Sequence, residues 1–137
     1  MDIQTHHFPQ NLTIYCKKAE SFPEGVKPAF QFMHSLVEFD PARMQLGLSK
    51  PLPDGSLDYW AGSQELHEGE FQKHNLETIN LLAGEYKYVV VTGYMENIPA
   101  IGEAFTSLMQ QVNHGSDVMG VEWYVSMEEV WCMLKVS

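Results

Sequence analysis

Basic residues are scarce in this chain. Its 8 Lys and Arg stand against 18 Asp and Glu, for a formal net charge of −10. Nucleic-acid binding needs a basic footprint, so that class of partner is excluded. Between Tyr88 and Leu134 there is neither Lys nor Arg, while Glu96, Glu103, Asp117, Glu122, Glu128 and Glu129 all fall there. Such a stretch is either a solvated acidic face or a field that draws cationic ligands. No run of about 18 apolar residues occurs, so no transmembrane helix and no membrane partner are expected. The start, Met1-Asp2-Ile3-Gln4-Thr5-His6-His7, lacks the basic and apolar regions of a signal peptide. Only two cysteines are present, Cys16 and Cys132. They sit in apolar strand-like runs and read as reduced core residues of a cytoplasmic protein. Nucleophile-elbow, Walker and dinucleotide motifs are missing, so no cofactor is expected. His67 and His74, with Glu68 and Glu70, fit no standard metal spacing, and His6-His7 reads as a flexible tail, so no metal site is expected either.

The chain does have the makings of a core. At 137 residues, 45% hydrophobic and 19% charged, it is expected to fold as one domain over 1–137. Residues 1–10 read as a tail or edge segment, and 12–18 alternate as a strand. A helix is predicted over 26–39, with Val26, Phe30, Met33 and Val37 on one stripe and Asp40-Pro41 ending it. Strands follow over 44–48 and 57–61. Residues 64–75 form a polar connection, and 76–82 are extended. The pattern then recurs, with a strand over 86–92, a helix over 96–112 carrying Ile98, Ile101, Phe105, Leu108 and Val112, and a hairpin of 118–125 with 129–136. The two series superpose at an offset of 75, falling to 71 at the last strand, where Trp60 matches Trp131. The expected fold is therefore α+β. Two pseudo-symmetric strand–helix–strand–strand halves, about 11–66 and 76–137, share an antiparallel sheet with two main helices and a central cleft.

Gly120-Val121-Glu122-Trp123-Tyr124-Val125 is the most informative stretch, because one of its alternating faces carries a lone carboxylate. With Met127-Glu128 as a two-residue turn, Glu122 faces Met133 and Tyr124 faces Trp131. Val121, Trp123, Val125, Val130, Cys132, Leu134 and Val136 then form the core face under the helices. A register shifted by one would instead put Trp131 in the core. By the repeat, the matching face of the first half carries Gly47, Ser49, Asp58, Trp60 and Gly62, with Gly47 standing where Glu122 stands in the second half. Glu122, Tyr124, Trp60, Trp131, Met133 and Gly47 thus line a candidate ligand cleft. Tyr15 and Tyr88 are further candidates, as is Tyr59 if the strand faces shift. A carboxylate among aromatic faces suits an organic cation, since each cation–π contact contributes about 0.5–2 kcal/mol.

Leu81-Leu82-Ala83-Gly84-Glu85-Tyr86, then Gly93-Tyr94, then Ile98, Ile101, Ala104-Phe105 and Leu108, then Val121-Glu122-Trp123-Tyr124 resemble the motifs of the GyrI-like domains. These are the effector-binding domains of AraC-type and MerR-type multidrug regulators. The resemblance implies two halves forming a sheet-lined cleft for a small molecule. It carries the family's buried cation-pairing Glu over to Glu122, its following aromatic to Tyr124, and its cleft aromatics to Trp60 and Trp131. With no helix-turn-helix ahead of the domain, the chain is similar to stand-alone members, including mobile-cassette proteins that bind cationic drugs. A homodimer or a separate DNA-binding partner is possible on this reading. The resemblance also implies an alternative, a hydrolase with Glu122 as general base acting on an activated water.

Overall fold

The structure is a computed structural model that describes residues 2–115 and 118–137; Asp117 of the acidic stretch lies outside them. It bears out the α+β expectation. Eight antiparallel strands form one sheet: β1 Gln4–Phe8, β2 Leu12–Lys18, β3 Gln45–Pro51, β4 Leu57–Gln64, β5 Glu77–Leu81, β6 Gly84–Thr92, β7 Gly120–Tyr124 and β8 Glu129–Lys135. Two α-helices, α1 Val26–Leu36 and α2 Pro99–Gln111, are present among the described residues. Neither is long and apolar enough to cross a membrane.

The strand order, β1-β6-β8-β7-β3-β4-β2-β5, reads symmetrically from its centre outward. Each of β2, β3 and β4 has its counterpart in β6, β7 and β8. At the centre Gly47 pairs with Glu122, Leu46 with Trp123 and Leu48 with Val121. Gly47 and Glu122 are the positions that the sequence repeat equates, so the pseudo-two-fold axis passes between them. The outermost strands exchange halves, β1 pairing with β6 and β5 with β2.

Chain connectivity forces this sheet to curl. Pro9-Gln10-Asn11 joins β1 to β2, and Leu82-Ala83 joins β5 to β6, yet each pair lies near opposite ends of the strand order. Strands about 4.8 Å apart would make such distances unreachable in a flat sheet for so few residues. Asn11 Oδ1 accepts the Ala83 N–H at 2.7 Å and pins the two connections together. The Phe8 and Trp123 rings meet at 6.0 Å although β6 and β8 lie between their strands. The inside of the curl holds Phe8, Ile14, Leu46, Leu48, Tyr86, Tyr88, Val121 and Met133, with Trp60, Trp123 and Trp131 half-buried against them.

The helices pack on the outer face. Helix α1 lies over β2 and β4, and α2 over β6 and β8. Met33 and Ala29 of α1 bury against Tyr59, Ala61 and Phe71. Leu108 and Ala104 of α2 bury against Val89, Val91, Val130, Cys132 and Leu134. The central pair, β3 and β7, runs between the two helices.

Three sequence expectations are corrected. Helix α1 stops at Leu36 rather than at 39, because β-branched Val37 is already extended (φ −140°, ψ 158°). Helix α2 starts at Pro99 rather than at 96, because Gly93 in the left-handed region (φ 63°) leads into a separate 3-10 turn over Tyr94–Glu96. The β7–β8 turn has three residues, not two. Val125 N–H donates to the Glu129 carbonyl at 3.1 Å, and Ser126 Oγ accepts the N–H groups of Glu128 and Glu129 at 3.2 and 3.1 Å. That one residue moves the register. Tyr124 now faces Val130, Trp123 faces Trp131 and Glu122 faces Cys132. Strand side chains alternate, so the slip reverses every β8 face relative to β7. Val121 and Trp123 therefore point into the curl, while Glu122 and Tyr124 share the outer face with Val130, Cys132 and Leu134.

Candidate functional site

Between the two helices, the outer face of β3 and β7 forms the floor of the candidate site. Glu122 stands on it beside Gly47, and Ser49 beside Gly120. From β4, Tyr59 is the cross-strand partner of Ser49 and joins the same face. The Tyr59 hydroxyl donates to Glu122 Oε1 at 2.8 Å, and the Tyr124 hydroxyl donates to the same oxygen at 2.5 Å. Only glycine at 47 permits this. A β-carbon there would fall on the Tyr59 hydroxyl and stand 2.7 Å from Glu122 Oε1.

Aromatic rings enclose these polar groups. Phe30 of α1 meets Tyr124 edge-on at 5.5 Å and Tyr59 at 6.2 Å. Tyr94 lies 5.3 Å from Tyr124, and Phe22 lies 5.6 Å from Tyr59. Phe105 of α2 closes the other side. A β-carbon built on Gly120 would be 3.3 Å from its ring and 2.6 Å from Ser49 Oγ. Phe30 and Phe105 hold equivalent positions in the repeat, so each half contributes one ring from its helix. The rim residues Phe30, Tyr94, Phe105, Tyr124 and Ser49 are half-buried, whereas Tyr59 is 2% and Glu122 8% exposed.

Glu122 has no cationic partner among the described residues; the ion pairs there are Lys18–Asp58, Arg43–Glu70 and Lys87–Glu85. Burial pushes its carboxyl upward from the ordinary value, and the hydroxyls of Tyr124 and Tyr59 oppose that only in part. Burial and the Glu122 charge raise both phenols as well, and they do the same to the Cys132 thiol across from Glu122. The phenols therefore stay protonated and act as donors. Both point at Oε1, and Oε2 has no hydrogen-bond partner among the described residues.

Of the residues expected from sequence, Glu122, Tyr124 and Gly47 come together. Trp60, Trp131, Tyr88 and Met133 do not join them but lie on the inner face of the curl: the β7–β8 register puts Trp131 and Met133 there, Tyr88 pairs with Met133, and Trp60 pairs with inward-facing Leu48. There Tyr88 stacks on Trp131 at 4.3 Å, and Trp131 Nε1 donates to Glu129 at 2.8 Å. Asp58 and Gly62 leave the expected cleft face because β4 pairs with β3 so that Ser49 faces Tyr59, Gly47 faces Ala61 and Gln45 faces Ser63. Tyr15 is on the outer face but stacks on Phe71 at 5.1 Å. Tyr59 was foreseeable only with shifted faces. Phe30 and Phe105 carried a usable signal, as matching aromatics on two helix stripes. Nothing in the spacing marks Tyr94 or Phe22.

The 64–75 connection, expected to be a polar linker, is docked on the fold by a buried charge. Arg43, 6% exposed, pairs with Glu70, donates to the Gln64 carbonyl at 3.0 Å and lies 5.6 Å over the Phe71 ring. Glu70 also accepts the Leu66 N–H at 2.8 Å. The Arg43 guanidinium holds its carboxyl down at about 2.

No protein-family model matches the chain, and no curated protein matches its sequence. Solved structures do share its fold. An integron cassette protein from the mobile metagenome of Vibrio cholerae is 12% identical with a TM-score of 0.69, over 98% of this chain and 95% of the other. The protein SAV2435, solved bound to tetraphenylphosphonium, is 18% identical with a TM-score of 0.61, over 98% and 94%. A hydrolase from Listeria innocua is 13% identical with a TM-score of 0.55, over 98% and 91%.

Proposed function

We propose that this chain is a GyrI-like small-molecule-binding domain whose ligands are lipophilic organic cations, received in the cleft between α1 and α2. One observation carries the reading: Glu122 is buried among aromatic rings with two hydroxyl donors and no cation beside it among the described residues. A buried carboxylate without a counter-charge is costly, and a ligand cation lowers that cost on binding. Phe30, Tyr94, Phe105 and Tyr124 supply ring faces, each contributing about 0.5–2 kcal/mol to a cation in contact. Ring faces are tolerant of direction, so the cleft accepts cations of varied shape, as a drug-sensing or transcription-regulating domain requires. SAV2435, similar in fold, holds a lipophilic cation, which supports the same ligand class here.

Fluorescence titration with several cationic dyes and their neutral analogues tests this. Saturable binding of the cations alone, lost in Glu122→Gln, is the expected result. Equal binding of neutral analogues leaves only an apolar cleft, and undiminished binding by Glu122→Gln removes the counter-charge role.

The hydrolase reading rests on the upward shift at Glu122, which suits a general base, and on the Listeria innocua hydrolase of similar fold. Product formed from reactive esters or epoxides, detected by mass spectrometry and abolished in Glu122→Gln, would favour it over simple binding.

A further inference from the structure

The two oxygens of Glu122 are in different states. Oε1 already accepts two hydrogen bonds, from Tyr59 and Tyr124. Oε2 has none among the described residues, although the side chain is more than nine-tenths buried. Oε2 is not sealed off, since the fully buried polar atoms without a partner among the described residues are Arg43 Nε, Glu65 Oε2 and His74 Nε2; water reaches Oε2, and a ligand that displaces this water must replace its hydrogen bond. Beside it on the floor, Ser49 Oγ also lacks a hydrogen-bond partner among the described residues, lying against Gly120. Aromatic faces compensate the charge of any cation, but they cannot satisfy Oε2. Only a ligand that brings its own N–H can.

We propose that the site selects protonated amines, cations carrying at least one N–H, over permanently charged cations of the same skeleton. This rests on the cation-binding reading and narrows it. A protonated amine donates an N–H to Oε2 and makes a charge-assisted bond of the kind that is short and strong. A quaternary ammonium or a phosphonium brings the same charge and fits the same rings but leaves Oε2 bare. It also holds its charge behind a shell of carbon, farther from the carboxylate. Ser49 Oγ stands ready for a second donor or for a heteroatom near the amine.

The test is a calorimetric titration of matched pairs. Each pair is a hydrophobic tertiary amine, kept protonated by working well below its pKa, and its N-methyl quaternary derivative. The parent protein is expected to bind the amine about tenfold more tightly, the size of one charge-assisted hydrogen bond made in place of none. In Glu122→Gln both ligands weaken and the ratio falls toward one. An added methyl is equally bulky in both proteins, so the change in ratio isolates the hydrogen bond from size. If the parent binds the quaternary derivative as tightly as the amine, N–H selection is wrong while the cation site stands. If neither ligand binds, or if both bind Glu122→Gln as well as the parent, the cation reading itself falls and the selection with it. The parent's ratio needs no variant to fold, so the selection is decided even if Glu122→Gln proves unstable.

Discussion

Gly47 lies directly across from Glu122 at the pseudo-two-fold axis, and the Tyr59 hydroxyl reaches Glu122 over the space where a Gly47 side chain would be. The repeat thus breaks its symmetry at its own centre. One half supplies the acid, and the other supplies the room through which a tyrosine meets it. Gly47→Ala should expel the Tyr59 ring from that space, since its Cζ would sit 2.7 Å from the new carbon. The loss expected is about 1–3 kcal/mol of stability, typical of overpacking. Denaturant unfolding measures it, and a loss below about 0.5 kcal/mol would show that the ring is not confined there.

Glu122 should make the protein less stable as pH rises. Its carboxyl is shifted upward in the folded state, chiefly by burial. Between the unfolded value of about 4.3 and the higher folded value, the native state holds a proton that the unfolded chain has lost. Stability then falls with rising pH across that window and is fully present below it. Replacing Glu122 by Gln removes this slope, so the variant should melt higher than the parent near neutrality and lose that advantage toward about pH 4. Parallel melting curves for the two proteins across that range would refute it.

Much of this was legible in the residues. The 75-residue repeat equates Gly47 with Glu122, and these two equivalent positions do pair across the axis. Strand β2 and the start of α1 fall where alternation and helical spacing put them. The β7–β8 register was not legible. It turns on whether Ser126 belongs to the strand or to the turn, and Ser126 Oγ decides this by capping two N–H groups of its own loop. That hydroxyl turns Trp131 and Met133 away from the acid, while the separate β3–β4 register, with Tyr59 opposite Ser49 and Trp60 opposite Leu48, turns Trp60 away and brings Tyr59 to it. The curl of the sheet was equally hidden, since it follows from short links between distant strands and not from any local pattern.

The two tyrosines should be unequal when replaced by phenylalanine. Each variant removes one donor from Oε1, which raises the Glu122 carboxyl further and costs about 1–3 kcal/mol near neutrality. Tyr59 is almost fully buried, so Tyr59→Phe leaves the carboxylate no water to replace the lost bond. Tyr124 is half-exposed at the rim, and water admitted there can take the place of its hydroxyl. Chemical denaturation at neutral pH should therefore show the larger loss for Tyr59→Phe. The reverse order would mean that the 2.5 Å bond from Tyr124 dominates despite its exposure.

Arg43 and Glu70 provide a test with the opposite sign and no bearing on the cleft. The Arg43 guanidinium holds the Glu70 carboxyl at about 2, so this pair stabilises the fold above the unfolded value of about 4.3 and loses its effect as pH falls toward 2. Glu70→Gln should lower the melting temperature at neutral pH, because it leaves a buried guanidinium without its counter-charge. It should also flatten the stability curve below the unfolded value of about 4.3, whereas Glu122→Gln flattens it above that value. Dye binding by Glu70→Gln at a temperature where it remains folded should match the parent, since Glu70 docks the 64–75 connection and touches no cleft residue among its hydrogen-bond partners. A binding loss in folded Glu70→Gln as large as that of Glu122→Gln would mean that the two acids act on one ligand site.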